Sequence, residues 1–201
     1  MESFKVASQP AVNEIELVLR AQRGDRGAFS ELVCLHSLGV TRVIFRMCSD
    51  LQLAEDAAQE TFLQAWQHLP SYRPGMPLRS WLYRIAVNAA IDMLRRNKRI
   101  LPSSLEDMPL QDPAPGPETI ATREERIAFI QKAVLSLPEA SRAVLLLREY
   151  EEMSYQEISD TLDIPLGTVM SRLNYARRLL KKMLEPRLSV EMEAEDVQSY
   201  A

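Results

Sequence analysis

The chain has 201 residues, 46% apolar and 26% charged, with 12 Pro and 6 Gly, which fits one or two small globular domains and excludes a fibrous or wholly disordered protein. Its net charge of −4, from 24 basic and 28 acidic residues, means that a nucleic-acid partner has to be argued from where the charge sits. No apolar run approaches the roughly 20 residues that cross a bilayer, and the first fourteen residues, MESFKVASQPAVNE, lack a signal peptide's apolar stretch, so a cytoplasmic protein without membrane insertion is expected.

Apolar periodicity predicts four helices in the first half, at about 13–23, 25–49 with a break near Gly39, 52–68 and 78–98. The third turns Ala54, Ala57, Ala58, Phe62, Ala65 and Leu69 inward and leaves Glu55, Asp56, Gln59 and Glu60 as an acidic and amide cluster. The loop from Tyr72 to Leu78 is rich in turn residues and brings an aromatic ring close to Arg73 and Arg79. That chemistry stacks an unpaired base and holds its phosphates. Tyr72 is the stacking candidate, whereas Trp81 lies on the apolar side and is expected in the core. The fourth helix packs Leu78, Leu82, Ile85, Ala86, Ala89 and Met93, and its other side carries Arg84, Asn88, Asp92, Arg95 and Arg99. From Arg79 to Arg99 a basic crowd, including Arg96 and Lys98, faces a single acid, Asp92.

Pro102, Pro109, Pro113, Pro115 and Pro117, set among small and acidic residues, can continue neither helix nor sheet. They mark a flexible acidic linker, 101–121, between a domain at 13–100 and a second at 122–186. A flexible segment, 1–12, precedes the first domain, and an acidic tail without fixed structure, 187–201, follows the second. The second domain begins with a helix to Leu135 and restarts at Ser136-Leu-Pro-Glu139, read as a capping box with Pro just inside the helix. Ala143, Leu146, Leu147 and Tyr150 supply its buried stripe. No strand-like alternation is present, so the chain reads as all-α, two small helical domains.

Residues 154–182 form a predicted helix-turn-helix. Ser154 and Glu157 open its first helix as a capping box, Ile158 and Leu162 are buried, and the turn spans Asp163 to Gly167. In the second helix Val169, Leu173, Ala176 and Leu180 face the core, while Thr168, Ser171, Arg172 and Tyr175 share the opposite face. Short hydroxyls and an Arg fork meet base edges in a major groove, and Arg177, Arg178, Lys181 and Lys182 neutralise phosphates. The competing reading is an amphipathic helix pair with a solvated basic face. No Gly-rich phosphate loop, H-E-x-x-H or nucleophile elbow supports an enzyme, and no cofactor is expected. Cys34 and His36 fall on adjacent rather than shared helix faces, so no metal site is expected either.

The stretches GDRGAFSELV (24–33), AEDAAQETFLQAW (54–66), SWLYRIAVNAAIDMLRR (80–96), LPEASRAVLLLRE (137–149) and MSYQEISDTLDIPLGTVMSRLNYARRLLKK (153–182), in this order around the acidic linker, resemble an extracytoplasmic-function, group IV, sigma factor of bacterial RNA polymerase. The resemblance implies that Glu55, Asp56, Gln59 and Glu60 meet the polymerase beta-prime clamp helices, and that core polymerase is contacted at the beta flap as well. It implies that Tyr72, Arg73, Arg79, Arg84, Asn88, Asp92, Arg95 and Arg96 open the minus-ten element and capture a flipped base. It assigns minus-thirty-five reading to Arg148, Thr168, Met170, Ser171, Arg172, Asn174, Tyr175, Arg177 and Arg178. Many relatives carry a basic residue where this chain has Met170, and another near Tyr175. An anti-sigma factor is the implied regulator, in an envelope or other stress response. The alternative is an autonomous helix-turn-helix regulator that binds duplex DNA without polymerase.

Overall fold

The computed structural model describes residues 13–73, 75–100 and 123–199, so the N-terminal segment and the expected linker lie outside the described residues. The order is α1 (Glu14–Gln22), α2 (Arg26–Cys48), α3 (Leu51–His68), a 3-10 turn (Leu69–Ser71), α4 (Leu78–Ile100), α5 (Arg123–Leu135), α6 (Glu139–Glu149), α7 (Tyr155–Leu162) and α8 (Leu166–Ser199). There is no strand among the described residues. Side-chain caps fix several starts. Asp25 accepts from the Ala28 amide at 3.1 Å and Asp50 from Leu53 at 3.0 Å, satisfying donors that the first helical turn leaves unpaired. The Ala28 amide, and then the Arg20 side chain, hold the Asp25 carboxyl below its ordinary pKa.

α2 is the central helix. It packs against α1, α3 and α4, and its C-terminal half also meets α5 and α6 of the second half of the chain. Val40, Ile44 and Met47 of α2 are fully enclosed, and Val144, Leu146 and Leu147 of α6 belong to the same continuous apolar cluster. By length and composition α2 could cross a membrane, contrary to the expectation that no segment would qualify, but here it is the helix around which the others assemble. The break expected at Gly39 does not occur. A Cβ there would come within 2.8 Å of the Tyr83 hydroxyl, so Gly39 serves the close approach of α4 to α2.

Three further expectations change. Ser136 and Glu139 form no capping box: Pro138 is the extended cap residue, and Ser136 Oγ instead donates to the Ala133 carbonyl at 2.6 Å, an acceptor orphaned in the last turn of α5. Tyr150, expected in the core, is 49% exposed and lies under the Arg46 guanidinium, 4.3 Å from its ring centre. The backbone of α8 continues through the expected unstructured tail to Ser199, because beyond Gly167 the sequence is rich in helix formers, contains no Gly and has Pro186 as its single Pro.

The capping box at Ser154 is formed: Ser154 Oγ accepts from the Glu157 amide at 3.2 Å, and Glu157 Oε2 accepts from the Ser154 amide at 2.7 Å. These bonds lower the Glu157 pKa. Ser154→Ala is expected to destabilise the fold by about 1 kcal/mol in urea denaturation. A Glu157→Gln variant shows the pH signature. Because the folded pKa is depressed, the carboxylate's contribution is present above the unfolded Glu pKa and disappears as pH falls through the folded value. The stability gap from wild type should therefore be open at neutral pH and close in acid.

Candidate nucleic-acid interface

α8 is held by Val169, Leu173 and Ala176, each at most 1% exposed against α6 and α7. This orientation presents its far side: Met170 and Tyr175 are 42% and 41% exposed, Ser171, Asn174, Arg177 and Arg178 are exposed, and Thr168 and Arg172 are half-buried at its edge. Ser171 Oγ donates to the Thr168 carbonyl at 3.0 Å, and the Arg178 guanidinium lies 5.7 Å from the Tyr175 ring centre. Thr168, Met170, Ser171, Arg172, Asn174, Tyr175 and Arg178 thus gather along one accessible ridge. Arg177 is paired with Glu149 at 2.7 Å. Arg148 stands apart from the ridge: it donates to the Met153 carbonyl at 2.8 Å and stacks over Tyr155, binding the α6–α7 connection.

α7 sets the ridge's angle. Asp163 caps its end in the left-handed region, at φ 54°, which turns the chain sharply enough for α8 to cross the preceding helices. Ser159 Oγ donates to the Ile164 carbonyl at 2.6 Å across the same turn.

On α4, Asn88, Asp92, Arg95 and Arg96 are exposed in a row, with Arg84 half-buried at its start. The Tyr72–Leu78 loop meets α4 at that N-terminal end. Tyr72 does not present a free ring. It is half-buried, packs on Trp81 with centroids 5.1 Å apart, and its hydroxyl donates to the Met76 carbonyl at 2.6 Å. Burial, with Glu14 nearby, raises the Tyr72 pKa. The ring therefore braces the loop, and Arg73 and Gly75 are exposed at its tip. A second brace, not legible from sequence, comes from Gln22 at the end of α1: its Nε2 donates to the carbonyls of Leu69 at 3.0 Å and Tyr72 at 2.7 Å. His36, two residues from Cys34, is paired with Glu14 at 2.6 Å and joins α2 to α1.

On α3, Glu55, Asp56, Gln59 and Glu60 are exposed together, and Glu60 accepts from Gln64 at 2.7 Å. Leu63, one turn on, is 59% exposed and extends the acidic face with an apolar contact surface. The periodicity of α3 could have flagged it as a large apolar residue off the buried stripe.

Arg79 and Arg84 are already engaged. Arg79 Nη2 donates to Glu151 at 2.6 Å, and Arg84 Nη2 to Asp163 at 2.9 Å. Both carboxylates belong to the second half of the chain. Arg142, 6% exposed in the middle of α6, donates to the carbonyls of Met47, Leu135 and Leu137, and burial pulls its pKa down. A lone Arg within an apolar stripe was the available sequence signal for this position.

Residues 32–100 match the family sigma-70 region 2, and residues 130–180 match sigma-70, region 4. The chain is 36% identical over 184 residues to the RNA polymerase sigma-H factor of Pseudomonas aeruginosa, covering 86% of this chain and 94% of that one. It is 32% identical over 176 residues to the ECF RNA polymerase sigma factor SigW of Bacillus subtilis, covering 83% and 94%. The solved structure of CnrH in complex with the cytosolic domain of CnrY superposes with a TM-score of 0.63 at 25% identity, over 87% of this chain and 97% of that one. Two helical regions in the sigma-70 order, with whole-length relatives of one kind, place the chain in the ECF family of RNA polymerase sigma factors.

Proposed function

We propose that this protein is a dissociable initiation subunit that brings core bacterial RNA polymerase to a defined set of promoters in the cytoplasm, without catalysis or a cofactor of its own. The observation that carries this reading is the exposed ridge of α8, with hydroxyls, an amide, Arg172 and Arg178 set over a buried Val169–Leu173–Ala176 stripe. That ridge suits major-groove reading of a minus-thirty-five element. Glu55, Asp56, Gln59, Glu60 and Leu63 form the docking face for the polymerase beta-prime clamp helices, and the second domain, 122–186, sits at the beta flap. The braced loop and the α4 row belong to the minus-ten element. Extruding a base costs a few kcal/mol, which a preformed pocket returns only for the right base, so melting becomes sequence-selective. Two modest DNA contacts joined by the 101–121 linker gain through effective concentration once both sit on polymerase.

Control by an anti-sigma factor in a stress response is part of the same reading, supported by family membership and by the neighbour solved with the cytosolic domain of CnrY.

Run-off transcription from a genomic promoter library, with purified core polymerase and with or without this protein, tests the reading. Discrete new transcripts that share two spaced upstream elements are expected. Unchanged start sites, together with tight duplex binding by the protein alone, would favour the autonomous regulator instead.

A further inference from the structure

One side chain of α1 reaches the loop that follows Tyr72. Gln22 is the last residue of α1, and its side-chain nitrogen donates to the Leu69 carbonyl at 3.0 Å and to the Tyr72 carbonyl at 2.7 Å. A primary amide has two hydrogens, so each carbonyl takes one, and the amide's orientation is fixed because its own oxygen could not face two acceptors. The Leu69 carbonyl also accepts from the Tyr72 amide at 3.0 Å, which commits both of its lone pairs. The chain therefore leaves the 3-10 turn with its peptide groups held from a distant helix. Further on, the Tyr72 hydroxyl donates to the Met76 carbonyl, so the loop is tied at both ends.

Gln22 is itself held in place. Leu17, Val18 and Ala21 are buried, Glu14 pairs with His36 of α2, and Arg20 pairs with Asp25. The turn into α2 closes through Gly24 at φ 93°, a conformation that favours glycine. α1 also lies ahead of residues 32–100, the stretch that matches sigma-70 region 2. We propose that Gln22 is a positioning residue for minus-ten recognition, acting through the backbone of the Tyr72–Leu78 loop rather than by contact with DNA. The inference deepens the reading of that loop as the one that captures an extruded base, and rests on it. A site carried on a loop is loose unless packing and hydrogen bonds from outside hold it, and a productive geometry has to be kept within about 0.5 Å. Loosening the loop should therefore blur the choice of base while leaving polymerase binding intact.

The test uses the full chain, alone and with core polymerase, on the promoters that the run-off library supplies. Gln22→Ala removes both donors and suits a helix end, Gln22→Lys keeps an ammonium that donates to the same carbonyls, and Tyr72→Phe removes only the tie to Met76. Amide hydrogen exchange across residues 69–81 of the free chain reports the loop itself. Transcription from templates with each minus-ten or minus-thirty-five base changed in turn reports selectivity, and permanganate reactivity of unpaired thymines reports opening.

Two lost hydrogen bonds should make loop exchange in Gln22→Ala about 10-fold faster and cut its preference at one minus-ten position about 10-fold, with slower opening. Its core affinity and every minus-thirty-five preference should match wild type. Tyr72→Phe should move the same way by less, and Gln22→Lys should return to within about 3-fold of wild type. Unchanged loop exchange in Gln22→Ala, equal losses at the two promoter elements, or a Gln22→Lys variant as defective as Gln22→Ala would each overturn the proposal. Failure of wild type to redirect transcription would instead overturn the functional reading. The variants are scored against a wild type that initiates, so the two failures are distinguishable.

Discussion

Core polymerase is expected to bind the double variant Asp56→Lys, Glu60→Lys roughly 100-fold more weakly than wild type, a loss of about 2.8 kcal/mol. The two carboxylates lie one turn apart on α3, both exposed, so reversal replaces an acidic face by a basic one without touching the core below. Surface changes of this kind leave fold stability within about 0.5 kcal/mol, so circular dichroism and melting should be unchanged. The defect should lie largely in the association rate and should narrow as salt is raised, because exposed charges steer encounter and are screened. Leu63→Ser adds a separate readout. Leu63 is 59% exposed among the described residues, and its loss should raise the dissociation rate with little dependence on salt. Binding within 3-fold of wild type in a titration of labelled core polymerase would remove α3 from the docking interface.

What the sequence showed and what it hid follow from the range of the interactions. The α8 ridge, the α3 acidic face and the capping box at Ser154 depend on residues three or four apart, so helical periodicity reveals them. At Gly39 an isolated glycine in a helix signals a break as readily as a close approach, and only the position of Tyr83, far along the chain, decides between them. Tyr72 reads as a stacking ring from sequence because its loop is turn-rich. Its partners, Trp81 and the Met76 carbonyl, become evident only when the loop is folded back on α4. The expected tail was read from its acidity, whereas backbone propensity from Glu191 to Ala194 favours helix. Glu151 was invisible for a stronger reason. It sits in an ordinary acidic run, Glu149 to Glu152, and its donors among the described residues, Arg46, Arg79 and Tyr83, lie between 68 and 105 residues away.

The same distinction between local and long-range contacts bears on Arg172, whose replacement by Ala is expected to cost 10- to 100-fold in transcription from promoters that depend on a minus-thirty-five element, with binding to core polymerase intact. Arg172 lies half-buried at the edge of the α8 ridge, between Ser171 and the buried Leu173, with no ion pair described for it. A guanidinium so placed is held at low entropic cost and free to fork onto a base edge, where a good bidentate contact is worth about 1–3 kcal/mol of discrimination. Losing it should therefore flatten the response to one position of the element. Lys181→Ala makes the opposite prediction. Exposed beyond the ridge, it should weaken all promoters alike and reduce the salt slope by about 0.9. Run-off transcription on matched templates, with the minus-thirty-five element intact or changed one base at a time, separates the two. Arg172→Ala should lose its preference at one base, and Lys181→Ala should keep every preference at lower affinity. If Arg172→Ala initiates as wild type does on all of these templates, the ridge of α8 is not what reads the element.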